Sequence, residues 1–189
     1  MTEKSKSRLE YDCIGQWKRG GMSRRSDIDD GAEQVRKLVG KHSIPVPWNL
    51  DVFIARIASR RAKPIRLIAC PGLSASGQPC GIWIGRTTDD VIVYDDSTSG
   101  YHIEQIVLHE IGHILLQHHH NADRHGEPLT IQELVPDIDP ASVSHVLGRT
   151  AYDSEQESQA ELFASLVMAG SHRSDRESNF LNTFLRGSF

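Results

Sequence analysis

The sequence lacks the features that would place it in several specialised classes of protein. No apolar run approaches the roughly 18 residues that a membrane span needs, and the N-terminus has no apolar stretch typical of a secretory signal. Three cysteines, Cys13, Cys70 and Cys80, are too few and too scattered for a disulfide framework. We therefore expect a cytoplasmic protein with free thiols and no membrane contact; the alternative for Cys70 and Cys80 is a disulfide across a hairpin.

A strong charge of either sign is also lacking. The formal net charge is -4, which gives no overall attraction to nucleic acid or to an anionic membrane surface, so direct nucleic-acid binding is not expected. The chain has no internal repeats and no low-complexity tracts. What remains is an ordinary composition of 189 residues with 38% hydrophobic side chains, which is enough for one domain with a real core.

The hydrophobic pattern predicts where that domain begins and which elements it contains. Residues 1–28 show no sustained period and are expected to form a flexible N-terminal extension, which leaves residues 29–189 as a single domain. Short β-branched and aromatic runs predict three strands, at residues 64–70, 80–85 and 90–94. Apolar residues at helical spacing predict helices at residues 29–40, 49–59, 97–118, 141–147, 153–168 and 175–185. The expected fold class is α+β, with helices packed on a small, mostly antiparallel three-stranded sheet.

A candidate metal-binding run, His109-Glu110-Ile111-Gly112-His113, lies in the long apolar helix that begins near residue 97. Residues i and i+4 of a helix lie one turn apart on the same face, so His109 and His113 can present ring nitrogens to one ion. Glu110 is then placed to act as general base on a water molecule, which is how His-Glu-x-x-His is interpreted. The alternative is that both are ordinary helix histidines. Gly112 favours the metal site, because a helical glycine costs ~1 kcal/mol and suggests close approach of another element.

A catalytic zinc ion needs three protein ligands and one open position, so a further ligand must come from elsewhere in the chain. Glu157 is the candidate, since it shares a helical face with small Ala160 and with Glu161. Glu161 is expected to reach the outer nitrogen of a zinc-binding histidine and to fix the orientation of its ring. Two alternatives stay open: Glu155 is the ligand, or Glu157 only forms a capping box with Ser154.

Two further residues lie near these runs in the sequence. His118 is five positions beyond His113, about 140° around a helix, so it cannot bind the same ion unless the helix breaks. We expect it at a polar helix C-terminus, where imidazoles complement the negative end of the dipole. Tyr152 precedes the helix of Glu157 and is a candidate donor to a developing oxyanion, with side-chain packing as the alternative.

The runs at residues 109–116 and 157–164 together resemble the ImmA/IrrE family of metallopeptidases, a compact branch of the gluzincin-type zinc proteases. The resemblance implies a gluzincin-like fold and one Zn²⁺ ion, with Glu110 as catalytic base. The ligands that it implies are His109, His113 and Glu157. The chain departs from the family pattern at Gln159, where Glu is common, and at Glu161, where Asn or Asp is common.

The predicted function is therefore that of a zinc-dependent endopeptidase. The family resemblance implies a bacterial or phage protein that cleaves a helix-turn-helix transcriptional repressor encoded nearby. We expect an extended substrate to add as a strand beside residues 91–94, at an edge of the small sheet. The main alternative is a metal-stabilised regulatory binding module that sequesters its partner without cleaving it. A further alternative is hydrolysis of a small amide.

Overall fold

The computed structural model describes residues 25–76, 79–118, 135–136, 138–139, 142–147 and 154–186. Within these ranges the chain forms four helices and a four-stranded sheet, which confirms the α+β class. The helices are α1 (Arg25–Lys41), α2 (Leu50–Arg61), α3 (Gly100–Leu116) and α4 (Ser154–Arg186). The strands are β1 (Ile65–Ala69), β2 (Gly81–Arg86), β3 (Asp90–Tyr94) and β4 (Val143–Leu147).

The sheet has the strand order β1-β3-β2-β4. β1 pairs with β3 in parallel, whereas β2 pairs antiparallel with both β3 and β4. Three of these strands and the largely antiparallel character agree with the sequence prediction. The fourth strand does not, because residues 141–147 were expected to form a short helix. Pairing with β2 satisfies the backbone groups of both strands, and this outweighs a weak helical pattern.

The position of β3 also corrects the predicted substrate edge. β3 lies between β1 and β2, so its backbone is hydrogen-bonded on both sides and residues 91–94 cannot accept an added strand. Among the strands that the structure describes, the sheet edges are β1 and β4. The prediction for residues 91–94 is therefore wrong.

Alternating side chains of the central strands contribute to cores on opposite faces of the sheet, as the two-residue period of a strand requires. Trp83 and Ile92 face a core built with the helices. Ile82 and Val93 face a second, smaller core that Val135 helps to close. Val135 and Ile138 therefore pack on the sheet face opposite the helices.

Helix α3 lies between the sheet and α4, and its residues 106–108 and 110–114 are buried. The side chain of Ser99 caps its start by accepting from the backbone N–H of His102 at 3.3 Å. Its end is set by Gln117, which adopts a left-handed conformation with φ 55. The predicted helix extended to residue 118, whereas the observed helix ends at Leu116 and the chain then turns back.

The last helix is longer than expected. The sequence predicted two helices, at residues 153–168 and 175–185, but α4 continues without interruption from Ser154 to Arg186. Gly170 lies in the predicted gap, and a Cβ there would be 2.3 Å from Ile44 Cδ1. This glycine therefore permits close packing within a continuous helix.

The cysteines give a further correction. Cys70 carries a free thiol, as expected, but Cys80 is disulfide-bonded. The expectation of free thiols is wrong for Cys80. No helix in the described parts of the chain is long and apolar enough to cross a membrane.

Candidate metal centre

Helix α3 brings His109 and His113 together as the spacing of one turn predicts. Their Nε2 atoms are 3.0 Å apart, and their ring centroids are separated by 4.7 Å in an edge-on arrangement. The His113 side chain is completely buried, whereas the side chain of His109 is 20% exposed. The pair is therefore accessible from the His109 side.

Helix α4 adds the carboxylate of Glu157. One oxygen, Oε2, lies 3.6 Å from His109 Nε2, and the other, Oε1, lies 3.5 Å from His113 Nε2. Both oxygens therefore face the histidines, which is the arrangement that a ligand role requires. Glu155, the alternative ligand, lies on the exposed surface beside Gln159 and does not join this group.

The two helices approach closely because small residues meet at their crossing. A Cβ on Gly112 would lie 3.0 Å from the Cα and 3.2 Å from the carbonyl oxygen of Ala160. Ala160 and Ala164 are completely buried. The expected close approach of another element at Gly112 is thus confirmed, because a Cβ there would be tightly packed against the backbone of Ala160.

The three donor groups fit a tetrahedral cation. Metal–ligand bonds of ~2.0–2.1 Å separate the ligand atoms of a tetrahedral zinc site by about 3.3 Å. The two Nε2 atoms are 3.0 Å apart, and each lies 3.5–3.6 Å from a different oxygen of Glu157, so the donors are close to this spacing. His109, His113 and Glu157 also form the group of possible metal ligands found among the described residues, with ligand atoms within 4.8 Å of one another.

Glu161 lies where an outer partner of His109 was expected. Its Oε2 is 3.7 Å from His109 Nδ1, and its Oε1 accepts from Gln105 Nε2 at 3.1 Å. The interaction with the nearby His109 ring lowers the pKa of Glu161. Burial opposes the charged form of His109, but Glu161 and the charges of Glu110 and Glu157 outweigh it and raise the His109 pKa. Glu161 lies on the Nδ1 side of the ring, and Nε2 of His109 faces the other two donors.

The pKa of His113 is shifted in the opposite direction from that of His109. Burial, followed by the neighbouring rings of His109 and His118, holds the pKa of His113 well below its usual range. The ring is therefore neutral in the folded protein. A neutral imidazole is the form that binds a metal ion, so no proton has to be displaced from His113.

Glu110 occupies the position that a general base needs. It is 5% exposed, and burial raises its pKa to about 7. The backbone N–H of Trp83 donates to the carboxylate, while Oε2 has no hydrogen-bond partner among the described residues. Gly81 allows β2 to pass this close, since a Cβ there would be 2.7 Å from Glu110 Oε1. One oxygen of the carboxylate is thus held by the sheet and the other remains available.

His118 is closer to the site than its sequence position predicted. It is 5% exposed rather than displayed at a polar helix end, and its Nδ1 lies 2.9 Å from His113 Nδ1. Its Nε2 lies 3.0 Å from Gln159 Oε1. The left-handed turn at Gln117 produces this arrangement by ending α3 at Leu116, two residues before His118. Sequence reasoning identified the need for such a break, but Gln117 gives no signal of one, since Gly and Asn are the usual residues there.

Tyr152, the predicted oxyanion donor, lies outside the described residues. Comparison of the chain with family models, curated proteins and solved structures finds no match. The resemblance to the ImmA/IrrE family therefore stays a prediction from the two sequence runs.

Proposed function

We propose that this chain is a zinc-dependent endopeptidase in which Glu110 acts as the general base. The observation that carries the proposal is the convergence of three donors from two helices beside a buried glutamate. His109, His113 and Glu157 present their ligand atoms within 4.8 Å of one another. Two imidazoles and a carboxylate favour zinc over magnesium or calcium, which prefer all-oxygen sites.

The roles of the residues follow from their positions. His109, His113 and Glu157 would hold the ion, and Glu161 would orient the His109 ring. When bound, zinc supplies Lewis-acid chemistry, lowering the pKa of a ligated water toward ~7 and polarising a carbonyl group. Glu110 takes a proton from the attacking water and delivers it to the nitrogen of the leaving amine. A pKa of about 7 suits a group that must both accept and release a proton near neutral pH.

The substrate class is proposed from the resemblance to the ImmA/IrrE family. A gluzincin-type peptidase of this kind would act in the cytoplasm on a helix-turn-helix repressor encoded by a neighbouring gene. The exposed side of the metal centre supports a macromolecular substrate, because the side chains of His109 and Glu157 are 20% and 36% exposed. This exposure would let a polypeptide reach these two ligands from solvent.

The test is to incubate the zinc-loaded protein with the repressor encoded beside it and to separate the products by mass spectrometry. We expect defined fragments that disappear when a chelator is added and return with zinc. Glu110→Gln should bind zinc normally yet cleave at least 100-fold more slowly, since loss of a general base typically costs 10²–10⁴ in rate. Fragments formed equally fast by Glu110→Gln would contradict the proposal. A stable complex without fragments would support the binding-module alternative.

A further inference from the structure

A chain of hydrogen-bonding groups extends from the surface of α4 to the far side of His113. Gln159 Nε2 lies 3.3 Å from Glu155 Oε1, and Gln159 Oε1 lies 3.0 Å from His118 Nε2. His118 Nδ1 lies 2.9 Å from His113 Nδ1. Nε2 of His113, at the opposite corner of the ring, faces Glu157 at 3.5 Å.

The direction of each hydrogen bond follows from the chemistry of the first group. Gln159 Nε2 donates to the Glu155 carboxylate, so the amide oxygen of Gln159 faces His118. That oxygen also only accepts, so the proton of a neutral His118 is on Nε2. His118 Nδ1 is then an acceptor, and His113 Nδ1 must donate to it. The remaining nitrogen of His113, Nε2, is left with a lone pair.

We propose that Gln159 and His118 are positioning residues that hold His113 in the tautomer protonated at Nδ1. This tautomer aims the lone pair of Nε2 at the space between His109 and Glu157. The inference rests on the proposed metal site. It adds to that site two residues that would not bind the metal ion themselves. Outer partners of this kind fix which nitrogen of a histidine is able to bind an ion.

The surrounding fold restrains both positioning residues. His118 is 5% exposed, and the left-handed turn at Gln117 returns its backbone N–H to the carbonyl oxygen of His113 at 3.1 Å. Helix α1 passes close to the Gln159 amide at Gly31, where a Cβ would lie 2.7 Å from Gln159 Nε2. Little freedom is left for either side chain to reorient.

The matched variants are His118→Asn and His118→Leu, which are close to each other in size. The side-chain oxygen of Asn is attached to Cγ, as Nδ1 is in histidine, so it can accept from His113 Nδ1–H. Leucine offers no acceptor. Both variants lose the imidazole, so any difference between them isolates the hydrogen bond to His113. Gln159→Met, on α4, removes the hydrogen bond between Gln159 and His118 while His118 itself is unchanged.

The first measurement uses metal-free protein, so that it does not depend on zinc binding. Long-range ¹H–¹⁵N correlation spectra of the ring nitrogens, recorded at mildly alkaline pH, distinguish the two neutral tautomers. We expect His113 to carry its proton on Nδ1 in the wild type and in His118→Asn. In His118→Leu we expect this preference to be lost. In Gln159→Met we expect His118 to lose its preference for a proton on Nε2.

The second measurement is zinc affinity by competition with a chelator of known strength. We expect His118→Leu and Gln159→Met to bind zinc about 10–100-fold more weakly, and His118→Asn to remain close to the wild type. A wild-type His113 protonated at Nε2, or a tautomer and affinity unchanged in His118→Leu, would overturn the inference. A wild type with the expected tautomer but no zinc binding would support the hydrogen-bond chain while refuting the proposed function.

Discussion

Glu157 is the residue that turns a pair of histidines into a three-donor site. It lies on a different helix from His109 and His113, and its two carboxylate oxygens face one histidine each at 3.6 and 3.5 Å. The alternative role as a helix cap would require the carboxylate to turn back along α4. The observed direction favours the ligand role, and it depends on the position of α4 against α3.

Removal of this carboxylate should abolish tight zinc binding. We expect Glu157→Ala to lower zinc affinity by more than 100-fold, because a lost ligand costs more than the 10–100-fold typical of an outer partner. Glu161→Gln should fall within that smaller range. Glu33→Ala, at an exposed glutamate of α1, is the neutral control. Chelator competition measures all three, and equal losses for Glu157→Ala and Glu161→Gln would show that Glu157 is not a ligand.

The residues of this site differ in how well their positions could be predicted from the sequence. His109, Glu110 and His113 follow from helical periodicity, because residues i and i+4 share a face whatever the rest of the fold does. Glu157 was predicted because a catalytic zinc ion needs a third protein ligand, and the candidates for it lie in the helix that contains Glu157, now α4. His118 was placed wrongly, because the predicted helix continued past Gln117. A left-handed residue that is neither Gly nor Asn has no pattern that reveals it.

At the scale of elements, the crossing of α3 and α4 sets the geometry of the site. Gly112 lies between the two metal-binding helical turns and faces the backbone of Ala160, which cannot move aside as a flexible side chain would. We therefore expect an added methyl group to shift the two helices apart by a few tenths of an ångström and to disturb the position of Glu157.

Gly112→Ala should weaken both folding and zinc binding. Overpacking costs about 1–3 kcal/mol, which outweighs the gain of about 1 kcal/mol in helix propensity, so we expect a net loss of about 1 kcal/mol. Gly40→Ala is the matched control, since Gly40 is also helical but a Cβ there meets nothing within 4 Å. It should stabilise the protein by up to about 1 kcal/mol. Urea unfolding checks both values, and a Gly112→Ala protein as stable as Gly40→Ala, with full zinc affinity, would contradict this account.

Asp95 fixes the segment that leads from β3 into α3. It is 2% exposed and accepts hydrogen bonds from the backbone N–H groups of Gly72, Ser74 and Ser97 and from the hydroxyls of both serines. Burial alone would raise its pKa, but these bonds outweigh burial and hold the pKa well below its usual range. The carboxylate is therefore ionised in the folded protein at neutral pH.

Asp95→Asn should destabilise the protein by about 3 kcal/mol at neutral pH, because the amide presents N–H groups to several donors. The folded pKa is depressed, so this stabilisation is complete above the unfolded pKa of about 3.9 and is lost as pH falls below it. The wild type and the variant should therefore converge in stability as pH falls below about 4. Urea unfolding across acid pH measures this, with exposed Asp96→Asn as the control. A difference that does not change with pH would exclude the carboxylate as its source.

Local sequence pattern was enough to predict some of the strands, whereas the others depend on pairing with distant parts of the chain. β2 and β3 were predicted because their runs are short and rich in β-branched and aromatic residues. β4 was missed, because Val143, Val146 and Leu147 also fit helical spacing. Its strand state depends on the edge of β2, which is distant in the sequence. Pairing with β1 on one side and with β2 on the other placed β3 in the interior and removed it as the substrate edge.

At the scale of the whole molecule, zinc should link parts of the chain that are far apart in sequence. An ion that binds only the folded state adds RT ln(1 + [L]/Kd) to stability, which is about 2.7 kcal/mol at a free concentration 100 times Kd. We expect the midpoint of thermal unfolding to rise with added zinc and to return when a chelator is added. Glu157→Ala should show no such rise. If the midpoint of thermal unfolding of the wild type does not change with added zinc, the folded protein does not bind zinc.

The central claim is that His109, His113 and Glu157 bind one zinc ion. Crystals of the zinc-loaded protein, measured on both sides of the zinc absorption edge, test this most directly. The account predicts one anomalous peak per chain, within bonding distance of Nε2 of both histidines and of the Glu157 carboxylate. A peak elsewhere, or one coordinated by the histidines while Glu157 turns toward Ser154, would contradict it.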